Sequence, residues 1–230
     1  KEREVSSKNH DTQKTLFKLH GGELIEGVLM RFNDDRNSVC VSSQVGCGLK
    51  CAFCATGTMG FTRNLTAEEI SDQVLYFNNF LAQQKKRVTH VVFMGMGEPM
   101  LNYDGVMAAV RIMNDKDALG IAARHMTIST SGVIPGIEKL SNEKLQINLA
   151  VSLHAPNQEL RAKIMPIARA YKLPDLMAAL KKYIDKTGRR ISYEYVMLKN
   201  INDSPELAQE LAKLIHGQLC HVNLIPYNQT

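Results

Sequence analysis

The chain has 230 residues, 44% hydrophobic and 22% charged, with a formal net charge of +5. This is ordinary globular composition, enough for one large α/β domain or two small ones, and it excludes a low-complexity or fibrous polypeptide. No stretch is long and apolar enough to span a bilayer, and the opening run lacks the apolar core of a signal peptide, so a soluble, cytoplasmic protein is expected.

Residues 1–14, "KEREVSSKNHDTQK", are polar and nearly free of apolar anchors, and are expected to form a flexible tail. Residues 15–32, "TLFKLHGGELIEGVLMRF", read as a β-hairpin, with Gly21–Gly22 supplying the positive φ values of a tight turn. The hairpin extension is placed at 15–36 and a single α/β core domain at 37–230. "SVCVSS" (38–43) reads as a strand leading into a cysteine-rich loop. Thr66 with Glu69 forms a capping box ahead of a helix whose apolar positions are Ile70, Val74, Leu75, Phe77 and Leu81.

Strands and helices then alternate. "VTHVVFM", "HMTIST", "QINLAVSL", "RISYEYVML" and "CHVNLIPYN" read as strands. "YDGVMAAVRIMND", "IPGIEKLS", "NQELRAKIM", "LPDLMAALKKYIDKTG" and "SPELAQELAKLIHG" read as helices. Pro174 sits in a first turn and Gly188 is a stop signal. Six strands in βα order predict a parallel sheet, either open and doubly wound or curved like a barrel. In both, chemistry sits at the carboxyl ends of the strands. The polar and glycine-rich stretches fall there: the cysteine loop, "GMGEP", "STSG", "SLHAPN" and "PYN".

Five cysteines, an odd and clustered set, do not make a disulfide framework; reduced thiols with metal or redox work fit better. Cys47, Cys51 and Cys54 follow the pattern C-x3-C-x2-C. Thiolates are soft ligands for zinc or iron–sulfur clusters. A cubane cluster takes four cysteines, one per iron, so three leave one iron open to something else. The competing reading is a zinc site completed by Cys220 or a histidine. The basic clusters "KKR" (85–87) and "KKYIDKTGRR" (181–190) read either as solvated surface or as phosphate contacts.

The cysteine loop after a first strand resembles that of radical S-adenosylmethionine (SAM) enzymes. "CVSSQVGCGLKCAFCATG", "RNLTAEEISDQV", "FMGMGEPMLNYD", "ISTSGVIPGI", "LAVSLHAPN" and "HVNLIPYN" together resemble the RlmN/Cfr family of RNA methyltransferases over nearly the whole chain. The resemblance implies a partial (βα)6 TIM-like barrel, a 4Fe–4S cluster on Cys47, Cys51 and Cys54, and SAM on the open iron. Phe53 would lie near the adenine. Gly97, Glu98, Ser129, Ser152, Leu153, His154 and Asn228 match further SAM contacts. Glu26 matches a proton acceptor and Cys40 a resolving cysteine.

The implied chemistry methylates an adenosine of 23S rRNA, and in RlmN-type members of tRNA, through a methyl-carrying cysteine. The resolving thiolate then releases the RNA and leaves a disulfide. The partners implied are RNA and a flavodoxin-type electron donor, with a monomeric enzyme. C2 of adenine is favoured over C8, because RlmN-type enzymes are the majority. A radical SAM activase and a non-catalytic zinc module that binds RNA are the other readings. The methyl-carrying cysteine expected after "NLIPYN" and an N-terminal accessory domain are not matched in these residues. The chain is therefore expected to cleave SAM without completing RNA methylation.

Overall fold

A computed structural model describes residues 1–9 and 11–228. The elements in chain order are β1 (Arg3–Ser6), β2 (Thr12–Lys18), β3 (Leu24–Arg31), β4 (Asn37–Cys40), β5 (Gln44–Gly46), α1 (Ala55–Thr58), β6 (Phe61–Asn64), α2 (Ala67–Ala82) and β7 (His90–Phe93). There follow α3 (Tyr103–Asn114), β8 (Met126–Thr130), α4 (Ile134–Leu140), β9 (Asn148–Ser152), α5 (Gln158–Ile164), α6 (Leu173–Thr187), β10 (Ile191–Met197), α7 (Pro205–Leu214) and β11 (Cys220–Pro226).

Nine strands form one sheet in the order β1-β2-β3-β4-β7-β8-β9-β10-β11. From β4 to β11 every pairing is parallel; from β1 to β4 every pairing is antiparallel. The six parallel strands run in sequential order, as in a barrel; a doubly wound sheet reverses its order at a switch point. Among the described residues no pairing joins β11 back to β1, so the sheet is open.

Side-chain alternation places the core. Ile25, Leu29, Val39, Val91, Ile128, Leu149, Val151, Ile191 and Tyr193 face α2, α3, α4 and α6 and are buried in one cluster. Each such aliphatic contributes about 1.5–3 kcal/mol on burial. The register puts Val28, Cys40, Val92, Thr127, Ser129, Ser152 and Glu194 on the other face. Most of these are only partly buried, so this face is the one left for a ligand.

The local signals behave as their chemistry predicts. Thr66 and Glu69 form a reciprocal capping box on α2. Gly188 ends α6 at φ 65°. Leu75 departs from its expected core position: it is 44% exposed, on the outer side of α2.

The N-terminal run also departs from expectation. Arg3–Ser6 forms a strand antiparallel to β2, and β2 begins at Thr12, so the hairpin of 15–36 is part of a longer antiparallel extension. An edge strand with two wet faces needs no apolar pattern, and it pairs the amides that β2 would otherwise leave open. At the β2–β3 turn only Gly22 has a positive φ; Gly21 does not. The short β5–β6 hairpin and α1 carry no signal of their own in the sequence.

Candidate active site

Three thiols reach one cavity because the loop that carries them is tied at both ends. β5 pairs with β6 across a bulge at Gly46, and the Cys47 amide donates to Gly60 O at 2.7 Å. Gly46 has φ 74°, and a Cβ there would sit 1.9 Å from Gly60 O, so no other residue fits. Beyond Cys51, the Ala52 amide donates to Ile164 O at the end of α5 (2.9 Å). Cys51 and Phe53 pack on Ile164, Met165 and Val196.

A cavity of about 310 Å³ opens at the carboxyl ends of the parallel strands. Cys47, Cys51, Cys54 and Phe53 line it from the loop. Gly97 and Glu98 line it after β7, Ser129 on β8, Ser152 and His154 at the end of β9, and Glu194 on β10. Nine of the expected ligand residues therefore share one space.

The segment after β7 is held by groups that the sequence did not single out. Gln44 Oε1 accepts the Glu98 amide (2.9 Å), and Ser42 Oγ accepts the Met96 amide (2.9 Å). Gln73 brackets Ser42 with two bonds, and Asn102 Nδ2 donates to Ser43 O and Leu65 O. Gly97 has φ 102°, and a Cβ on it would lie 2.5 Å from Gln44 Cβ. The Glu98 carboxylate, 2% exposed, accepts the amides of Met100 (3.0 Å) and Ser131 (2.7 Å). Burial raises its pKa against those two bonds.

His154 is held in a left-handed conformation, φ 56°, which costs strain in a non-glycine residue. Its Nδ1 accepts the Val196 amide (3.0 Å), so the neutral ring carries its proton on Nε2. Burial, and then the Arg161 charge, push its pKa down to about 3. Phe53 meets the imidazole edge-to-face at 4.6 Å. The imidazole therefore bonds to backbone through Nδ1 while the residue lines the cavity.

Four expected residues lie outside the cavity lining. Leu153 is fully buried in the core and offers only backbone there, its carbonyl taken by Arg161. Asn228 is exposed beyond the end of β11. Glu26 is on β3, paired with Lys14 at 3.1 Å. Cys40 is half-buried at the end of β4; burial pushes its thiol up to about 11, against a bond from the Met94 amide. Met94 itself lines the cavity, so Cys40 stands just beyond the rim.

The donor set fits a cluster. Burial raises the Cys47 thiol and pushes Cys51 up to about 12, so adjacent thiolates require a cation's charge between them. Among the described residues no three His, Cys, Asp or Glu side chains converge as a single metal ion would need. A cubane gives each thiolate its own iron. Cys220 opens β11 beside Ile191, at the amino ends of the strands, and does not complete the set. For SAM, the positive-φ Gly97 clears the strand end, and the lining offers hydroxyls and an aromatic ring.

A second cavity, of about 610 Å³, lies at those amino ends. Arg124, Arg189, Arg190, Ser192 and His221 line it, and no carboxylate does. Among the described residues none of the three arginines has an acidic partner within 4.0 Å, the ion-pair limit. In the "KKR" cluster, by contrast, Lys86 faces Asp35 at 3.8 Å.

Residues 41–212 match the model of the Radical SAM superfamily. The ribosomal RNA large subunit methyltransferase N of Nitrosopumilus maritimus is 49% identical over 232 residues, covering 98% of this chain and 66% of that protein. A probable dual-specificity RNA methyltransferase RlmN of Bacillus thuringiensis is 55% identical over 217 residues, covering 94% of this chain and 60% of the relative. The crystal structure of a radical SAM methyltransferase from Sphaerobacter thermophilus superposes with a TM-score of 0.96 at 49% identity, covering 98% of this chain and 66% of that one. The chain spans 60–66% of the length of these curated relatives.

Proposed function

Because the chain belongs to the radical SAM superfamily, we propose that it is the catalytic core of an RNA methyltransferase of the RlmN type, acting on C2 of an adenosine in 23S rRNA and tRNA. One observation carries this reading. Cys47, Cys51 and Cys54 share a cavity with Gly97, Ser129, Ser152 and His154, on successive strand ends. When bound, the cluster supplies one electron to SAM, and with it the radical chemistry that an unactivated adenine carbon requires.

The chain's own residues do the rest. Cys47, Cys51 and Cys54 hold the cluster and leave one iron open. The Gly97–Glu98 strand end and Ser129 orient the methionine portion of SAM; Ser152, His154 and Phe53 border its nucleoside. Phe53, Val196 and Met165 keep water from that side. Cys40, at the rim, acts as the resolving thiol, and Glu26, on the same sheet face, takes the ring proton. Arg124, Arg189 and Arg190 contact RNA phosphate. A flavodoxin-type donor, a monomeric state and a cytoplasmic address belong to the same reading.

The test is anaerobic reconstitution of the chain with iron and sulfide. A brown protein with about four irons that cleaves SAM under reduction is expected. A colourless zinc protein would overturn the proposal.

A further inference from the structure

Arg161 heads the fully buried side chains by size, with 0% of its surface exposed. A guanidinium has five N–H donors and a permanent charge, so burial demands both acceptors and a counter-ion. The acceptors are only partly supplied. Nε donates to Leu153 O (3.2 Å), and Nη2 donates to Ser131 O (2.7 Å) and Ser152 O (3.2 Å). Nη1 is buried with no partner. No carboxylate pairs with Arg161 among the described residues. A buried charge left in this state is strongly unfavourable.

Cys51 packs on Ile164 and Met165, at the end of the helix that carries Arg161. Arg161 lies on α5, the helix whose terminal carbonyl holds the Ala52 amide of the cysteine loop. Burial lowers its pKa to about 10, which still leaves it charged at neutral pH. Arg161 does not line the cavity; it lies behind the strand ends, bonded to the carbonyls of Ser131 and Ser152, two residues that do line it.

We propose that Arg161 is the built-in counter-charge of the iron–sulfur cluster, a positioning residue that sets the cluster's reduction potential. The proposal rests on the cavity being a cluster site. Three thiolates on a cubane carry net negative charge, and reduction adds one more electron. A fixed cation buried beside the cavity stabilises the reduced form more than the oxidised form. The same cation ties together the ends of β8 and β9, so charge and strand anchoring must be separated experimentally.

The test is an EPR-monitored redox titration of the reconstituted chain without SAM or RNA, for wild type, Arg161→Gln and Arg161→Lys. Gln at 161 is expected to lower the equilibrium constant for reduction at least tenfold, about 59 mV for a one-electron couple. Lys keeps the charge but loses the fork of hydrogen bonds, and is expected to stay near wild type. If Arg161→Gln holds iron at an unchanged potential, the proposal is wrong. Loss of iron by Gln but not by Lys, with the apo proteins melting alike, supports it; equal loss by both overturns it. A wild-type chain that takes up no iron overturns the cluster reading itself, a different and visible failure.

Discussion

Cys40 on β4 pairs with Val28 on β3, and this register puts Glu26, two residues from Val28, on the same sheet face as the thiol. Antiparallel neighbours displaced by two residues lie on the order of 7–8 Å apart. The two residues proposed to handle the proton and the resolving step are therefore diagonal neighbours, Cys40 one strand and Glu26 two strands from β7, whose end lines the cavity.

The Cys40 thiol itself is not ready to react. Burial holds it near 11, so at pH 8 it carries roughly 10²-fold less thiolate than an ordinary cysteine. Alkylation by iodoacetamide, followed by peptide mass mapping, is expected to label Cys40 slowly at pH 8 and faster up to about pH 11. Labelling that reaches half its maximum near pH 8.5 would show a thiol already poised without RNA.

Cys54 and Cys220 give a second separation. Cys54 lines the cavity, whereas Cys220 opens β11 at the other end of the sheet. Cys54→Ala is expected to abolish stable iron uptake, and Cys220→Ala to leave iron per chain unchanged. Equal losses on iron assay would make Cys220 a fourth ligand and remove the open iron position.

Much of this arrangement was legible because its signals are local. The capping box of α2, the glycine stop of α6 and the apolar strands each depend on a few neighbouring residues, and strand ends in βα order carry the chemistry. What was not legible depends on closure in space. Nothing in "NQELRAKIM" marks Arg161 as buried, since charged side chains are mostly exposed. Its acceptors, Ser131 O, Ser152 O and Leu153 O, come from two other strand ends. The β5–β6 hairpin is only three and four residues on its two sides, too short for any alternation to register. Gln73 shows no sign in sequence that it turns inward to hold Ser42.

The basic cavity predicts a salt dependence. Arg189 and Arg190 come from one cluster of the sequence, and the fold adds Arg124. The double change Arg189→Glu, Arg190→Glu is expected to weaken RNA binding. The slope of log K against log salt should become shallower by roughly 0.7–0.9 for each phosphate no longer neutralised. Fluorescence anisotropy at several salt concentrations reads both. An unchanged slope would mark the cavity as ordinary solvated surface.

His154 makes the last prediction, and its sign follows from the neutral ring. Its folded pKa, about 3, lies far below the ordinary 6.5, so between these values the unfolded chain binds a proton that the folded chain refuses. The stabilisation is fully present above pH 6.5 and is lost as pH falls toward 3, with a slope of about 1.4 kcal/mol per pH unit for one proton. The cause is structural: Nδ1 already accepts the Val196 amide, and protonation there would break a buried bond at the strand end that faces Phe53 and the cavity. Urea unfolding from pH 7 to pH 4 is expected to show this loss in wild type and to show it reduced by about one proton in His154→Asn. That change is read as a difference in slope, so a uniform loss of stability in the variant does not obscure it. Parallel pH profiles for the two proteins would mean that His154 charges freely in the folded state.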